Sequence, residues 1–561
     1  MRLRPDYGPD AETARKVRPR PKGRFRLAEA RKNNYLKGAA ILAITVAITK
    51  VIGAIYKIPL YNILGDEGTT HFQFTYTIYS LLLTFSTAGV PVAMSRLIAE
   101  AIATNRFNQV RRYYKVSLVT FAAIGVIGML AMLIFAQQLA NFMGDYEIAN
   151  GVRVLAPAVL FACLVCIFRG YSQGHGNMLP TAISQVMEVV CKLVFGLCIA
   201  WYFARAGYGS ADVSAGAIVG VTIGLGLAVP ILAGEKRRSD RKNYGGRRFS
   251  DKPSTVSATF REIMRISIPI TLGSAVLNII TMIDNKLVLA RLQTGAGFSY
   301  TEAKILTGVY SKALTLFNMP SALITPIAVS IVPFISAAVA KRDFGESKRL
   351  TESAMKVTNL LALPMGAGLT VLSYSIFQTL YPGSNENGPA LLAMLGIASF
   401  FVCTYLVTNS ILQASGYENL ALLALPIGGV IKIIVNWFLV GTERINILGA
   451  PLGTLVCYVA ITVLNVVFIM VKAKDKPNIA ATVARPFICT VVMGAAAWAV
   501  YGLLNRILGS GRMMIAVAMC AAILAAVVVY AVLVVAMKAV TREDMQLVPK
   551  GEKIANLLHM K

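Results

Sequence analysis

Long apolar runs dominate this chain, and the polar stretches between them are short. Runs of roughly twenty or more apolar residues recur about fourteen times between residues 38 and 537. Each run is continuously apolar, whereas the strands of a membrane barrel alternate apolar and polar residues over about ten positions. The pattern therefore predicts an all-α, polytopic membrane protein with about 14 transmembrane helices.

The composition agrees with this pattern and narrows the function classes. Of the 561 residues, 56% are hydrophobic and 15% are charged, which is too apolar for a soluble protein of this length. The eight cysteines lie within predicted spans and the three histidines are far apart, so we predict no disulfide framework and no metal site. The chain has no P-loop, H-E-x-x-H or G-x-S-x-G motif, and we predict neither enzyme activity nor a cofactor.

The net charge of +28 is concentrated in a few polar segments. Lys and Arg cluster before the first span, between the sixth and seventh spans, and after other even-numbered spans. Because basic loops stay in the cytoplasm, both termini are predicted to be cytoplasmic. This distribution accounts for the charge without nucleic acid as a partner. Membrane lipids remain a candidate partner of the basic N-terminal tail.

A weak internal repeat divides the chain. Shifts of 240 and 237 residues align span ends in the two halves, and they pair Gln173 with Gln413, Gly176 with Gly416, Lys192 with Lys432, and Arg112 with Arg349. Repeats in the same orientation, related by an axis along the membrane normal, are known in transporters that bind substrate between two lobes. We predict a disordered basic cytoplasmic tail (1–36), an N-terminal six-helix lobe (37–233), a basic cytoplasmic loop (234–262), a C-terminal six-helix lobe (263–472), two further helices (480–538) and a cytoplasmic tail (539–561).

Ionisable residues inside the predicted spans are the main functional candidates. Lys50 lies roughly 20 Å along the first helix, where a charge costs on the order of 3 kcal/mol or more unless it faces a cavity. Lys50, Lys312 and Lys432 have no obvious partner in the sequence, so the interior is predicted to carry a cationic surplus. Such a cavity attracts anionic groups such as phosphate.

The predicted site has three parts. The cationic, substrate-binding cavity consists of Lys50, Lys57, Lys192, Lys312 and Lys432. Ion pairing or coupling is assigned to Glu188, Asp284 and Lys286; the four-residue spacing of Glu188 and Lys192 favours a helical ion pair that neutralises both. Arg96 and Arg169, near the cytoplasmic span ends, are assigned to gating or lipid-headgroup contact, with interface anchoring as the alternative.

Three sequence stretches carry a family resemblance. They are T-K-V-I-G-A-I-Y-K-I-P-L-Y-N-I-L-G-D-E-G (residues 49–68), Y-S-L-L-L-T-F-S-T-A-G-V-P-V-A-M-S-R-L-I-A-E (79–100) and R-G-Y-S-Q-G-H-G-N-M-L-P-T-A-I-S-Q-V-M-E (169–188). The chain resembles the polysaccharide-biosynthesis exporters of Gram-positive bacteria, in the multidrug/oligosaccharidyl-lipid/polysaccharide (MOP) exporter superfamily. The most similar branch is the stage V sporulation protein B type, with its relatives among the lipid II flippases.

The resemblance implies a two-lobed bundle of fourteen helices in the bacterial plasma membrane. Such a bundle alternates between inward-open and outward-open states and carries an undecaprenyl-diphosphate-linked sugar. In the lipid II flippases a cationic cavity holds the diphosphate, and the last two helices form a groove for the lipid tail. Lys50 matches the basic position of the family's first-helix motif, whereas Tyr56 and Lys57 stand where the enterobacterial branch has arginine and aspartate.

Three functions remain open from the sequence. The first is a flippase for a lipid-linked oligosaccharide, with peptidoglycan lipid II as the expected substrate. The second is a cation-coupled multidrug antiporter of the same superfamily, which needs unpaired carboxylates in the N-terminal lobe, where only Glu188 fits. The third is a non-transporting scaffold for cell-wall enzymes. A coupling ion and cell-wall synthesis enzymes are accordingly the further candidate partners.

Overall fold

The structure is a computed structural model that describes residues 22–245, 249–509 and 511–537. No strand occurs within these ranges. The N-terminal half comprises α1 (Lys22–Thr87), α2 (Val90–Ala103), α3 (Phe107–Ile134), α4 (Ala136–Met143), α5 (Ala149–Gly174), α6 (Leu179–Cys191), α7 (Leu197–Arg205) and α8 (Ser210–Tyr244). A 3₁₀ turn (Tyr146–Ile148) precedes α5, and a π-helical turn (Lys192–Gly196) joins α6 to α7.

The C-terminal half has a similar sequence of elements. It comprises α9 (Val256–Thr294), α10 (Tyr300–Ala340), α11 (Phe344–Val371), α12 (Ser373–Leu380), α13 (Gly388–Ala414), α14 (Glu418–Leu439) and α15 (Gly449–Lys472). A 3₁₀ turn (Asn446–Leu448) precedes α15. Two further helices, α16 (Ile479–Leu508) and α17 (Arg512–Ala536), pack against each other, and α16 also packs against α11.

The predicted all-α membrane architecture is confirmed. Within the described residues, 13 helical segments are long and apolar enough to cross a membrane. The first of them, Ile48–Ala103, has 56 residues, and about 84 Å of helix is more than twice the thickness of the hydrocarbon layer. It is interrupted at Gly65, where the backbone leaves the helical region with φ 70° and ψ −169°. Two crossings about this kink are consistent with fourteen spans, a count that stays a prediction together with the two lobes.

Backbone geometry supports the internal repeat found in the sequence. Left-handed residues recur at matching places in the two halves: Gly65 and Gly297, Asn105 and Arg342, Gly144 and Gly383, and Gly176 and Gly416. The short helices α4 and α12 also follow α3 and α11 in the same way. Because these turns and short helices fall at matching places, they support the repeat, which stays a prediction together with the two lobes.

The helices extend further into the polar segments than the sequence analysis predicts. Helix α1 begins at Lys22, within the segment 1–36 that the sequence predicts as a disordered tail, and residues 22–36 contain good helix formers such as Leu, Ala, Glu and Arg. Residues 1–21 and the tail 539–561 lie outside the described residues. The predicted basic loop 234–262 is largely helical, because α8 continues to Tyr244 and α9 starts at Val256.

Charged residues can extend these helices because the apolar requirement applies only within the hydrocarbon layer. On α8, the Lys236 ammonium lies 2.6 Å from the Asp240 carboxylate one turn later. The short connector that follows is attached to the start of α3, where the Asp251 carboxylate accepts hydrogen bonds from the backbone N–H groups of Asn108 (3.0 Å) and Gln109 (3.1 Å). These contacts satisfy donors that a helix start leaves free.

Helices α1 and α10 form the main contact between the halves. Helix α10 packs against both α1 and α13, while α5 packs against α3 and α8. We call the end of the bundle that contains the Gly65 kink, residues 144–148 and residues 297–304 the Gly65 end. The opposite end contains the α2–α3 turn and the α8–α9 connector. If the termini are cytoplasmic as predicted, the Gly65 end faces outward.

Candidate functional site

The kink at Gly65 directs Asp66 toward the C-terminal half. The Asp66 carboxylate lies 2.5 Å from the Lys312 ammonium of α10 and accepts hydrogen bonds from the Ser384 hydroxyl (2.5 Å) and the Asn385 N–H (3.0 Å). Both charged side chains are largely buried, with 4% of Lys312 and 12% of Asp66 exposed. This pair therefore joins the two halves at a site with little solvent.

A second charged cluster lies beside it, around Lys304 of α10. The Lys304 ammonium lies 2.6 Å from carboxylate oxygens of both Glu67 and Glu147. The Lys304 side chain is 2% exposed, whereas about a third of each glutamate is exposed. Next to it, His71 Nδ1 is 2.6 Å from the Asp145 carboxylate, which also accepts a hydrogen bond from the Tyr300 hydroxyl at 3.0 Å.

The backbones of α1 and α10 also touch at the Gly65 end. Gly308 lies so close to Asp66 that a β-carbon at position 308 would clash with the Asp66 carbonyl oxygen. The Thr70 hydroxyl donates a hydrogen bond of 2.6 Å to the Lys304 carbonyl. Since α1 and α10 belong to different halves, these contacts and the ion pairs close the bundle at this end.

In the N-terminal half, Glu188 has two cationic partners. Its carboxylate lies 2.8 Å from the Lys192 ammonium and 3.5 Å from the Arg169 guanidinium. Arg169 also donates a hydrogen bond to the Ser184 hydroxyl at 2.9 Å. The helical pair expected from the four-residue spacing is therefore present. Arg169 is largely buried against this pair, so anchoring at the membrane interface does not fit its position.

In the C-terminal half, Asp284 is the partner of Lys432. The Lys432 ammonium lies 2.6 Å from one oxygen of Asp284, and the Asn436 amide donates a 2.6 Å hydrogen bond to the other. Lys286 points elsewhere, with its ammonium 3.8 Å from the centre of the Phe142 ring. Lys192 and Lys432, which the sequence repeat pairs, thus each contact a carboxylate.

The expectation that Lys312 and Lys432 lack partners is wrong. Their carboxylates, Asp66 and Asp284, lie on other helices, 246 and 148 residues away along the chain. Local spacing cannot reveal a contact between residues that are so far apart in sequence. A role of either lysine in substrate binding stays a prediction.

Lys50 and Lys57 differ from these paired lysines. Lys50 is exposed, Lys57 is half-buried, and neither has a carboxylate partner among the described residues. The Lys57 ammonium lies 5.9 Å from the centre of the Tyr61 ring. A row of aromatic contacts runs from Tyr61 through Phe72 to Tyr76, whose ring is 5.8 Å from the Lys192 ammonium. Arg96 of α2 is exposed.

An apolar groove of about 560 Å³ lies between α11, α13 and α16. Leu363 and Val371 of α11, Phe400 of α13 and Phe487 and Val491 of α16 line it. Gly366, Gly396 and Gly494 also line the groove, and because glycine has no side chain they leave space in it. The groove is therefore suited to a hydrocarbon chain.

The chain resembles characterised and uncharacterised membrane proteins over most of its length. It is 28% identical over 526 residues to the uncharacterized membrane protein YabM of Bacillus subtilis, covering 93% of this chain and 96% of that protein. It is 24% identical to the lipid II flippase MurJ of the same organism (78% of this chain, 83% of MurJ) and 25% identical to its stage V sporulation protein B (77% and 83%).

The fold is shared with a solved structure, the lipid II flippase MurJ in an inward closed conformation. The TM-score is 0.63 at 14% identity, covering 88% of this chain and 99% of that structure. The family described as polysaccharide biosynthesis protein matches residues 35–339. That match includes the N-terminal half from residue 35 onward and helix α10 almost to its end, which together supply the ion pairs that Lys304 and Lys312 make at the Gly65 end. The chain belongs to the polysaccharide biosynthesis protein family.

Proposed function

We propose that this protein is a flippase that moves an undecaprenyl-diphosphate-linked cell-wall precursor, peptidoglycan lipid II, across the plasma membrane by alternating access. The observation that carries this proposal is that Lys50 and Lys57 of α1 have no carboxylate partner among the described residues. Such a partner is present for the lysines Lys192, Lys304, Lys312 and Lys432. The positive charge of Lys50 and Lys57 is therefore available to a ligand.

The spacing of these two lysines suits a diphosphate. Seven residues along a helix are two turns, so both side chains project from the same face about 10 Å apart. Lysine side chains are long enough for two ammonium groups at this spacing to converge on adjacent phosphates. In a low-dielectric site the attraction is stronger than in water, and a charge that is costly in the membrane becomes useful when it binds an anion.

The remainder of such a substrate also has a match. A polyprenyl chain is apolar and long, and the groove between α11, α13 and α16 is lined almost entirely by apolar side chains. The family resemblance assigns the lipid tail to a groove formed by the last two helices. Here α16, the first of them, forms one wall together with α11 and α13.

The two alternative functions have less support. A cation-coupled antiporter needs an unpaired interior carboxylate, but Glu188 contacts Lys192 and Asp284 contacts Lys432. A non-transporting scaffold for cell-wall enzymes gains nothing from cations placed within membrane helices, which cost free energy to insert. The charges of α1 therefore favour transport of an anion over both alternatives.

The test is depletion of the protein in its native host, followed by measurement of lipid II accessible at the outer face of the membrane. An unrelated lipid II flippase serves as the rescue control. We expect depletion to lower accessible lipid II and both the parent protein and the rescue flippase to restore it. Normal lipid II exposure after depletion would contradict lipid II as the substrate and point to another polyprenyl-linked glycan.

A pair of charge reversals then tests the role of α1. Lys50→Glu should reduce accessible lipid II by at least ten-fold, because it replaces attraction to the diphosphate by repulsion. Lys252→Glu is the matched control, since Lys252 is exposed in the connector between α8 and α9. Full activity of Lys50→Glu at equal expression would remove this lysine from the mechanism.

A further inference from the structure

His71 is buried at the Gly65 end in a setting typical of a metal ligand. Its Nδ1 lies 2.6 Å from the fully buried carboxylate of Asp145, an acceptor that places the ring proton on Nδ1. The lone pair is then on Nε2, which is buried and makes no hydrogen bond within the described residues. Histidines that bind metals commonly donate their other N–H to a carboxylate in this way, which fixes the tautomer and the orientation of the ring.

Two carboxylates flank this free nitrogen. His71 Nε2 is 3.3 Å from an oxygen of Glu147, close to the roughly 3.4 Å that separates ligands of a tetrahedral zinc ion with bonds of about 2.0–2.1 Å. One ligand atom from each of Glu67, His71 and Glu147 lies within 4.8 Å of the other two. An imidazole with two carboxylates is a donor set suited to Zn²⁺ and similar transition metals.

In this structure the ammonium group of Lys304 lies between the two glutamates. The Lys304 ammonium lies 2.6 Å from both Glu67 and Glu147. All three candidate ligands and Asp145 belong to the N-terminal half, whereas Lys304 belongs to α10 of the C-terminal half. If α10 moves away when the Gly65 end opens, the ligands stay together and lose their counter-ion.

We propose that Glu67, His71 and Glu147 form a binding site for a divalent transition-metal ion such as Zn²⁺. When the Gly65 end is closed, the Lys304 ammonium occupies this site instead of the metal ion. Three carboxylates beside one histidine, without Lys304, leave an excess of negative charge that a bound cation offsets. Metal binding and docking of Lys304 exclude each other, so the metal stabilises the arrangement in which the Gly65 end is open. The site is independent of the transported substrate.

The test uses the full chain, purified in detergent and freed of metal with a chelator. The protein is equilibrated with Zn²⁺ at fixed pH, and bound zinc is counted by mass spectrometry after gel filtration. We expect Lys304→Met to bind Zn²⁺ at least ten-fold more tightly than the parent, because its competitor is absent. In the Lys304→Met background, His71→Asn should remove one equivalent of bound zinc, and Asp145→Asn should weaken binding about 10–100-fold.

The matched control is His175→Asn in the same background. His175 is also a largely buried histidine, but both of its ring nitrogens are engaged, Nδ1 with the Tyr171 carbonyl and Nε2 with the Tyr244 hydroxyl. Its replacement should leave the zinc count unchanged, which separates the proposed site from zinc bound by the eight free cysteines. Equal zinc in Lys304→Met with and without His71→Asn, both eluting as folded protein, would overturn the proposal.

A spectroscopic measurement covers the case in which the histidine variant does not fold. Co²⁺ added to the Lys304→Met protein should give the intense visible absorption of a tetrahedral site, and Glu67→Gln should change that spectrum. A spectrum that is insensitive to Glu67→Gln would contradict the ligand set. Binding of Mg²⁺ in preference to Zn²⁺ would contradict the transition-metal class.

Discussion

Two regions of helix α1 differ in whether their charged side chains have partners of opposite charge. At the Gly65 end, Asp66 and Glu67 are each paired with a lysine of α10. In the segment before the kink, Lys50 and Lys57 have no carboxylate partner among the described residues. The charges that join the two halves are thus neutralised by the protein itself, and those of Lys50 and Lys57 are not neutralised by any carboxylate among the described residues.

The difference has an energetic basis. A buried ion pair contributes little net stability compared with apolar packing, but removal of one partner leaves an uncompensated buried charge. An exposed lysine such as Lys50 carries no such penalty when it is replaced. Variants at the Gly65 end should therefore change stability, whereas variants at Lys50 should change transport.

Lys312→Ala should have the largest effect on stability. It leaves the Asp66 carboxylate buried with only the Ser384 hydroxyl and the Asn385 N–H as donors. Loss of one partner of a buried pair costs about 3–5 kcal/mol, so thermal unfolding in detergent should shift down by several degrees.

The control for that variant is the double substitution Asp66→Asn with Lys312→Met. It removes both charges, keeps an acceptor oxygen for the Asn385 N–H, turns an amide N–H toward the Ser384 hydroxyl, which can accept as well as donate, and fills the volume of the lysine stem. We expect it to recover most of the lost stability. If Lys312→Ala unfolds at the temperature of the parent, the pair is not part of the closed Gly65 end.

Gly308→Ala tests the close approach of the backbones rather than the charges. The added methyl group would clash with the Asp66 carbonyl oxygen, so α1 and α10 must separate. Overpacking of this kind costs about 1–3 kcal/mol.

Gly53→Ala is the matched variant in the segment before the kink, because a β-carbon there meets nothing within 4 Å. Alanine favours a helix over glycine by up to about 1 kcal/mol, and Gly53→Ala should unfold at the same or a slightly higher temperature than the parent. Equal destabilisation by both variants would mean that the backbone contact at Gly308 is not what closes this end.

Much of the fold was predictable from sequence because the membrane imposes a simple rule on it. Continuous apolar runs predict helices, and identities such as Gly176 with Gly416 indicate a repeat that the backbone angles support. Helix ends were less predictable, because the need for apolar residues applies only inside the hydrocarbon layer and does not determine where a helix ends outside it. Helix α8 accordingly continues to Tyr244 through a strongly basic stretch.

The charged contacts were only partly predictable. The pair of Glu188 and Lys192 follows from helical spacing, but Asp284 and Lys432 meet only because α9 packs against α14. The cluster around His71 was missed for the same reason, since its members come from α1, the turn before α5 and α10. The available signal in the sequence was the acidic residues of two short polar segments, Asp66 with Glu67 and Asp145 with Glu147.

Lys57→Met is expected to have the smallest effect on stability and on accessible lipid II. It tests whether Lys57 behaves like Lys50 or like the lysines that are paired with carboxylates. The Lys57 ammonium is 5.9 Å from the centre of the Tyr61 ring, and a contact of this kind is worth about 0.5–1 kcal/mol at a partly exposed site. Methionine keeps most of the apolar stem, so the unfolding temperature should move by a degree or two at most. Accessible lipid II should fall less than with Lys50→Glu, because Lys50 remains to attract the diphosphate.

Lys57→Arg completes this experiment, because arginine keeps the charge and the contact with the Tyr61 ring. We expect it to match the parent in both unfolding temperature and accessible lipid II. A loss of stability in Lys57→Met as large as that in Lys312→Ala would show that Lys57 has a buried partner. In that case Lys57 belongs with the paired lysines, and of these two residues Lys50 is the one without a carboxylate partner among the described residues.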